Sequence, residues 1–200
     1  EWKQSFSRED ESGNILLPLT EILKDENPSS FLSSLLYSYG ITGIDCTKII
    51  AVETPGKIFH GRDYTVLRDR EFLILRKPDD SETNTFSISA LPAEVVAENM
   101  TISIRSDEKK ETDSFTGKNN ILQVDGENIS FPLTLRPWKP GDYFFPLGMK
   151  GKKKISDFYT DQKINRFEKE KIYLLLSGND IVCILGHRID DRFKITPSTK

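Results

Sequence analysis

Cysteine is nearly absent from this 200-residue chain: Cys46 and Cys183 stand 137 positions apart, and no CxxC pair occurs. That count excludes a disulfide framework and a thiol-based zinc site, and it fits a reducing compartment. Histidine is equally scarce, and neither His60 nor His187 has a partner at metal-ligand spacing. No apolar run exceeds five residues, whereas a membrane-spanning helix needs about 20, so no membrane association is expected. Residues 1–5 hold no basic segment followed by an apolar stretch, so no secretory signal is expected and a cytoplasmic location is. The lack of Met at position 1 is expected of an excised or processed product. Four enzyme motifs are missing as well: GxxxxGK[ST], GxGxxG, HExxH and GxSxG.

What is present suffices for a core. Leu, Ile, Val and Phe make up 57 of the 200 residues, above the level of about 20% below which disorder is the default. A chain of this length buries about 70% of its unfolded surface. The net charge of −3 hides two unequal parts. Residues 1–135 carry 14 Lys/Arg against 23 Asp/Glu, and residues 136–200 carry 14 against 8. An acidic body with a basic end suits one face that meets a polyanion, or a chance fluctuation of surface charge.

The residues up to Asn14 are polar and read as poorly ordered. Asn27 before Pro28 is a helix start, and Phe31, Leu32, Leu35, Leu36 and Tyr39 then recur at helical spacing up to Gly40. A second helical pattern after Gly43 ends at Pro55-Gly56, so the two read as a helical hairpin. From Lys57 onward the pattern is of strands. Residues 65–68 and 72–75 flank a short polar connection, as in a β-hairpin. Further strands are expected at 86–89, 101–104, 121–124 and 129–135, with a mobile loop over 105–120. Ile155, Phe158 and Tyr159 mark a helix face, and residues 165–171 read as a second short helix. Strands at 173–176 and 181–185 pair across Ser177-Gly178-Asn179-Asp180, and 192–195 is a candidate third.

One stretch asks for a ligand. Lys150, Lys152, Lys153 and Lys154 fall within five positions, with Gly148 and Gly151 beside them. The ammonium groups repel one another unless solvent or an anion intervenes, and glycine lets a backbone approach closely. The following helix would add free N–H groups and a partial positive charge. A phosphate satisfies all three features; a solvated surface loop is the other reading. His187, between Gly186 and Arg188, is an acid/base candidate or a surface histidine. The Asp190-Asp191 pair, beside Arg188 and Arg192, is a cation site or a local ion-pair network, and the network is the simpler reading. No RNP-type aromatic strand, basic zipper or zinc finger accompanies the lysines, so they support backbone contact with salt-dependent affinity.

The last third has an ordered signature. It runs Leu135-Arg136-Pro137-Trp138-Lys139-Pro140-Gly141-Asp142, Pro146-Leu147-Gly148-Met149-Lys150-Gly151, Lys153-Lys154, Asp157-Phe158, then Gly186-His187-Arg188-Ile189-Asp190-Asp191-Arg192-Phe193-Lys194. Over about residues 133–196 it resembles the C-terminal domain of tRNA(Ile)-lysidine synthetases. Lys57-Ile58-Phe59, Leu67-Arg68-Asp69-Arg70 and Leu73-Ile74-Leu75 are similar to the segment just upstream in that family. The resemblance implies an α+β fold: a helical connecting segment over 1–55, then a mostly antiparallel, β-rich domain over 56–200 with β/β/α layering, as in a domain of the phenylalanyl-tRNA synthetase beta subunit. It implies a full-length enzyme, an ATP-dependent ligase that uses ATP with Mg and L-lysine as substrates and joins lysine to the wobble cytidine of an isoleucine tRNA. The family's SGGxDS loop has no counterpart here, so this chain is expected to hold no catalytic residue, cofactor or metal.

The partners implied are tRNA(Ile), gripped on its acceptor-stem side through phosphates and 2′-hydroxyls, and an N-terminal catalytic domain of the same protein. Arg136, Lys150, Lys152, Lys153 and Lys154 are assigned to phosphate contact, with Arg188 and Arg192 second. Pro137, Pro140, Gly141, Gly148 and Gly151 shape turns, and Leu147, Met149, Phe158 and Phe193 pack. A competing reading makes the chain a structural domain or homodimer that orients the catalytic domain without touching RNA. A third attaches the same module to a different enzyme, such as a phosphoribosyltransferase.

Overall fold

A computed structural model describes residues 6–77, 84–97, 100–108 and 121–199. The chain divides into two compact units, Glu1–Asp80 and Ser81–Lys200. The helices expected over 1–55 and the strands that follow them therefore lie in one unit, where the sequence reading put a boundary at 55/56. The reason is packing: the helices' apolar stripe needs the sheet beside it.

In the first unit five strands, β1 (Arg8–Glu9), β2 (Ile15–Pro18), β3 (Lys57–His60), β4 (Thr65–Arg68) and β5 (Phe72–Arg76), form one antiparallel sheet in the order β1-β2-β5-β4-β3. Within the polar start, residues 8–14 are ordered rather than loose, because the Asp10 carboxylate accepts the N–H groups of Ser12 and Asn14 and closes a turn into β2. Three helices follow β2, one more than the expected helical hairpin: α1 (Leu19–Ile22), α2 (Pro28–Ser38) and α3 (Cys46–Ile50). The Asn27 side chain accepts the Ser30 N–H, with proline at the first helical position, so α2 starts where the sequence predicts. Gly40 turns the chain out of that helix at φ 76°. Leu32, Leu35 and Leu36 of α2 and Ile49 of α3 meet Leu17, Val66, Leu73 and Leu75 of the sheet in one core.

The second unit is built around the sheet β14-β13-β12-β9-β6, comprising β6 (Phe86–Ile88), β9 (Leu133–Pro137), β12 (Tyr173–Ser177), β13 (Asp180–Ile184) and β14 (Arg188–Ile189), all antiparallel. All five residues of β12 are buried. Tyr173 and Leu175 enter one core, with Leu133, Leu135, Ala97 and Ile102. Leu174 and Leu176 enter another, with Phe144, Ile155, Phe158 and Tyr159. The hairpin β7 (Ala93–Ala97) and β8 (Met100–Ile104) covers the first face. Helix α4 (Ile155–Asp161) covers the second. Helix α5 (Arg166–Lys171) follows α4 and starts at a capping box between Asn165 and Glu168. This is the expected α+β architecture with hairpin, sheet and helix layers. A small ladder, β10 (Tyr143–Phe144) with β11 (Lys153–Lys154), brackets the lysine-rich loop and sets Tyr143 opposite Lys154.

Several expectations shift. Residues 121–125 form no strand, although Leu122 and Val124 pack against the hairpin-side core. The strand expected over 129–135 begins only at Leu133, because Pro132 lacks a donor and Ser130 instead exchanges two hydrogen bonds with the Ser177 hydroxyl. Residues 191–193 form a 3-10 turn rather than a strand, since Asp190 caps it by accepting the Arg192 N–H. Most of the loop expected over 105–120 lies outside the described residues.

Candidate nucleic-acid interface

The lysine-rich loop leaves β10 through Phe145 and returns at β11, and its base is fastened to the turn after β14. Phe145 N–H donates to Asp190 Oδ2 at 2.9 Å, and Asp191 N–H donates to the Phe145 carbonyl at 2.7 Å. Leu147 N–H donates to the Ile189 carbonyl, and Gly148 N–H reaches Asp191 Oδ1 at 3.3 Å. Arg188 Nη2 donates to the Leu147 carbonyl at 3.0 Å. Gly148 and Gly151 adopt φ of 78° and 88°, which lets the loop double back within a few residues.

Asp190 is the centre of this arrangement. Its carboxylate is completely buried and accepts four hydrogen bonds, from Phe145 N, Arg192 N, Arg192 Nε and Arg192 Nη2. A buried carboxylate persists only when partnered in this way. Arg192 also donates to Asp180 and lies 4.7 Å over the Phe145 ring. Hydrogen bonding from Asp190 outweighs burial and makes Arg192 still harder to deprotonate. Hydrogen bonds from Lys194 and from Gly148 hold Asp191 below the usual carboxylate range. The Asp190-Asp191 pair is thus an ion-pair network, with Arg192 inside it and Arg188 bonded to main chain instead.

The other cations expected at the site fall into two groups. Arg136 grips Asp142 with both Nη atoms, at 2.7 and 2.9 Å, and only 13% of its side chain is exposed. Burial pushes the Asp142 carboxyl up, but the Arg136 fork and the Lys139 N–H together hold it below its ordinary value. Lys153 pairs with Asp161. Lys150, Lys152 and Lys154 are exposed, and among the described residues no carboxylate lies within ion-pair distance of them. The free helix N–H groups expected behind the lysines are reduced, since Ile155 N–H donates to the Asp142 carbonyl.

The aromatic beside these lysines carried no signal beyond a short apolar run. Tyr143 is 48% exposed while its neighbour Phe144 is fully buried, the period-2 alternation of a strand. Lys152 Nζ lies 5.0 Å from the Tyr143 ring centroid, and the Phe145 ring stands nearly perpendicular to it at 6.4 Å.

The arrangement can hold an anion and a flat apolar group, but nothing in it activates a nucleophile. Burial lowers the pKa of His187, whose ring sits edge-on to Phe158. Burial pushes the Cys183 thiol up to about 12. Among the described residues no group of three His, Cys, Asp or Glu side chains is placed to hold a metal ion. No helix among them is long and apolar enough to cross a membrane.

Comparison with known proteins adds two family models. Residues 10–78 match the TilS substrate binding domain, and residues 133–200 match the TilS substrate C-terminal domain. A tRNA(Ile)-lysidine synthase of Parabacteroides distasonis is 37% identical over 192 residues, which cover 92% of this chain and 42% of that protein. One of Bacteroides thetaiotaomicron is 32% identical over 185 residues, 90% of this chain and 40% of that protein. A third, of Clostridium acetobutylicum, is 37% identical over 103 residues. The chain spans about 40% of the length of the first two relatives.

Proposed function

The chain belongs to the tRNA(Ile)-lysidine synthetase family, and from that premise we propose that it is the tRNA-gripping portion of such an enzyme. In this reading the longer protein joins lysine to the wobble cytidine of an isoleucine tRNA in the cytoplasm, with ATP, accompanied by Mg, and L-lysine as its substrates. The present residues bind RNA and a separate catalytic domain makes the bond. The observation that carries the proposal is the fastened loop, which presents Lys150, Lys152 and Lys154 with no carboxylate partner among the described residues. Three ammonium groups within five positions of a pinned backbone repel each other, and a phosphate ribbon relieves that repulsion while releasing counterions.

Phosphate contact is thus proposed first for Lys150, Lys152 and Lys154, with Arg188 beside them. Arg136, Lys153 and Arg192 already have carboxylate partners, which favours the structural reading for those three. RNA approaching them competes with Asp142, Asp161 and Asp190.

The test is a titration of the chain with fluorescently labelled tRNA(Ile) transcript at several salt concentrations. Binding with a slope of log K against log salt of about −3 is expected for three to four phosphate contacts. Absence of binding at low salt, together with a dimer by sedimentation, would replace this reading with a structural, dimerising domain.

A further inference from the structure

We propose that Tyr143 is a stacking platform for an unpaired nucleobase, so that the loop binds single-stranded RNA at this point rather than only a paired stem. The inference rests on the RNA-binding reading above and names the part of the RNA that the site takes.

The platform is built from the interior outward. Asp190, fully buried, holds the Arg192 guanidinium by its Nε and Nη2 atoms. That guanidinium covers the Phe145 ring at 4.7 Å, and Phe145 stands against Tyr143 at an interplanar angle of 78°. Phe145 N–H is bonded to the same Asp190 carboxylate, and β10 ties Tyr143 to Lys154 across the ladder. Each layer limits the motion of the next, so the last ring reaches solvent already oriented.

An exposed aromatic is a poor choice for a surface with no partner. Phe144, Phe158, Tyr159, Phe167, Tyr173 and Phe193 of the same unit are buried, whereas Phe131 and Tyr143 lie nearly half in solvent, and of those two it is Tyr143 that has a lysine over its ring. An oriented aromatic flanked by lysines is the arrangement that grips single strands: the base covers the ring, and its phosphates meet the ammonium groups. Lys152, over the Tyr143 ring, is long and strongly hydrated; it can leave the ring face to an incoming base and pair with the adjoining phosphate. The interior of a duplex cannot use the ring, because its bases are already stacked and A-form grooves keep their faces inside.

The experiment uses the full chain and two RNA hairpins of identical stem, each closed by a polyethylene glycol linker in place of a nucleotide loop, one blunt and one with a four-nucleotide single-stranded extension bearing 2-aminopurine. Affinities for wild type, Tyr143→Phe and Tyr143→Leu are read by anisotropy, and stacking is read by quenching of 2-aminopurine. Tyr143→Leu is expected to weaken binding of the extended hairpin about tenfold, to abolish the quench, and to leave the blunt hairpin within about twofold. Tyr143→Phe keeps both affinity and quench. Equal losses on the two hairpins, or no loss on either, would overturn the stacking assignment while leaving RNA binding intact. If wild type binds neither hairpin nor tRNA, the RNA-binding reading itself fails.

Discussion

In the sheet spanning residues 8–76 Leu17, Val66, Leu73 and Leu75 share a single core with the helices α1 to α3, while Leu67 and Ile74, also buried, pair on the opposite face outside that core. In the sheet spanning residues 86–189 alternate residues of β12 supply two separate cores. A strand buried on both sides reads as a continuous apolar run, and Tyr173-Leu174-Leu175-Leu176 is one. With both faces occupied, the second sheet has only its ends left for contact with other molecules. That is where the lysine-rich loop and the turn at 186–192 are found. Closing a sheet on both sides thus moves recognition chemistry from its surface to the loops at its rim.

The comparison can be broken most directly at Phe144, the fully buried ring on the helix side of the second sheet. Phe144→Ala is expected to cost about 3–5 kcal/mol in urea unfolding. A loss under about 1 kcal/mol would mean that the second core adds little. Asp190→Asn comes next: it leaves Arg192 without its partner and is expected to cost about 3 kcal/mol. It should also speed amide exchange at Phe145 and Gly148. Unchanged exchange there would show that the loop holds its shape without the carboxylate.

Smaller effects sharpen the division between partnered and unpartnered cations. Lys152→Glu combined with Lys154→Glu should weaken tRNA binding more than about tenfold, whereas Lys153→Ala should change it less than about threefold. Equal effects would erase the distinction drawn from the Asp161 pair. The smallest effect concerns acid. Because Asp142 has a folded pKa below its unfolded value of about 3.9, its contribution is complete above that pH and fades as pH falls through the folded value. Asp142→Asn, less stable at neutral pH, should therefore show a shallower loss of stability below about pH 4 than wild type. Parallel acid profiles would remove the Arg136–Asp142 pair from the account.

Much of the fold was legible because its signals were local. Asn27-Pro28 and Gly40 bound α2, and the polar link 69–71 marks the hairpin β4–β5. The strands β1 and β2 were missed because the turn that joins them is closed by the Asp10 side chain together with main-chain bonds of Asp10 to Gly13 and Asn14, which periodicity does not register. The expected strand at 121–124 had the right apolar residues but pairs with no strand among the described residues. At the site, the lysine cluster was visible and the identity of its unpartnered members was not. Lys153 meets Asp161 only because a helix of seven residues carries that carboxylate back. The nearest legible hint was Arg136 followed six positions later by Asp142 across a Pro-Gly turn.

The hydrogen bonds from residues 145–148 to residues 189–191 set a limit on how far this molecule can be trimmed. The last strand ends at Ile189, and a designer guided by sheet boundaries would cut there. Such a truncation would discard Asp190, Asp191, Arg192 and Lys194, and with them the hem that keeps a loop some forty positions upstream from fraying. A minimal module excised from this protein to keep that loop in shape has to extend through Lys194, beyond the last strand at Ile189.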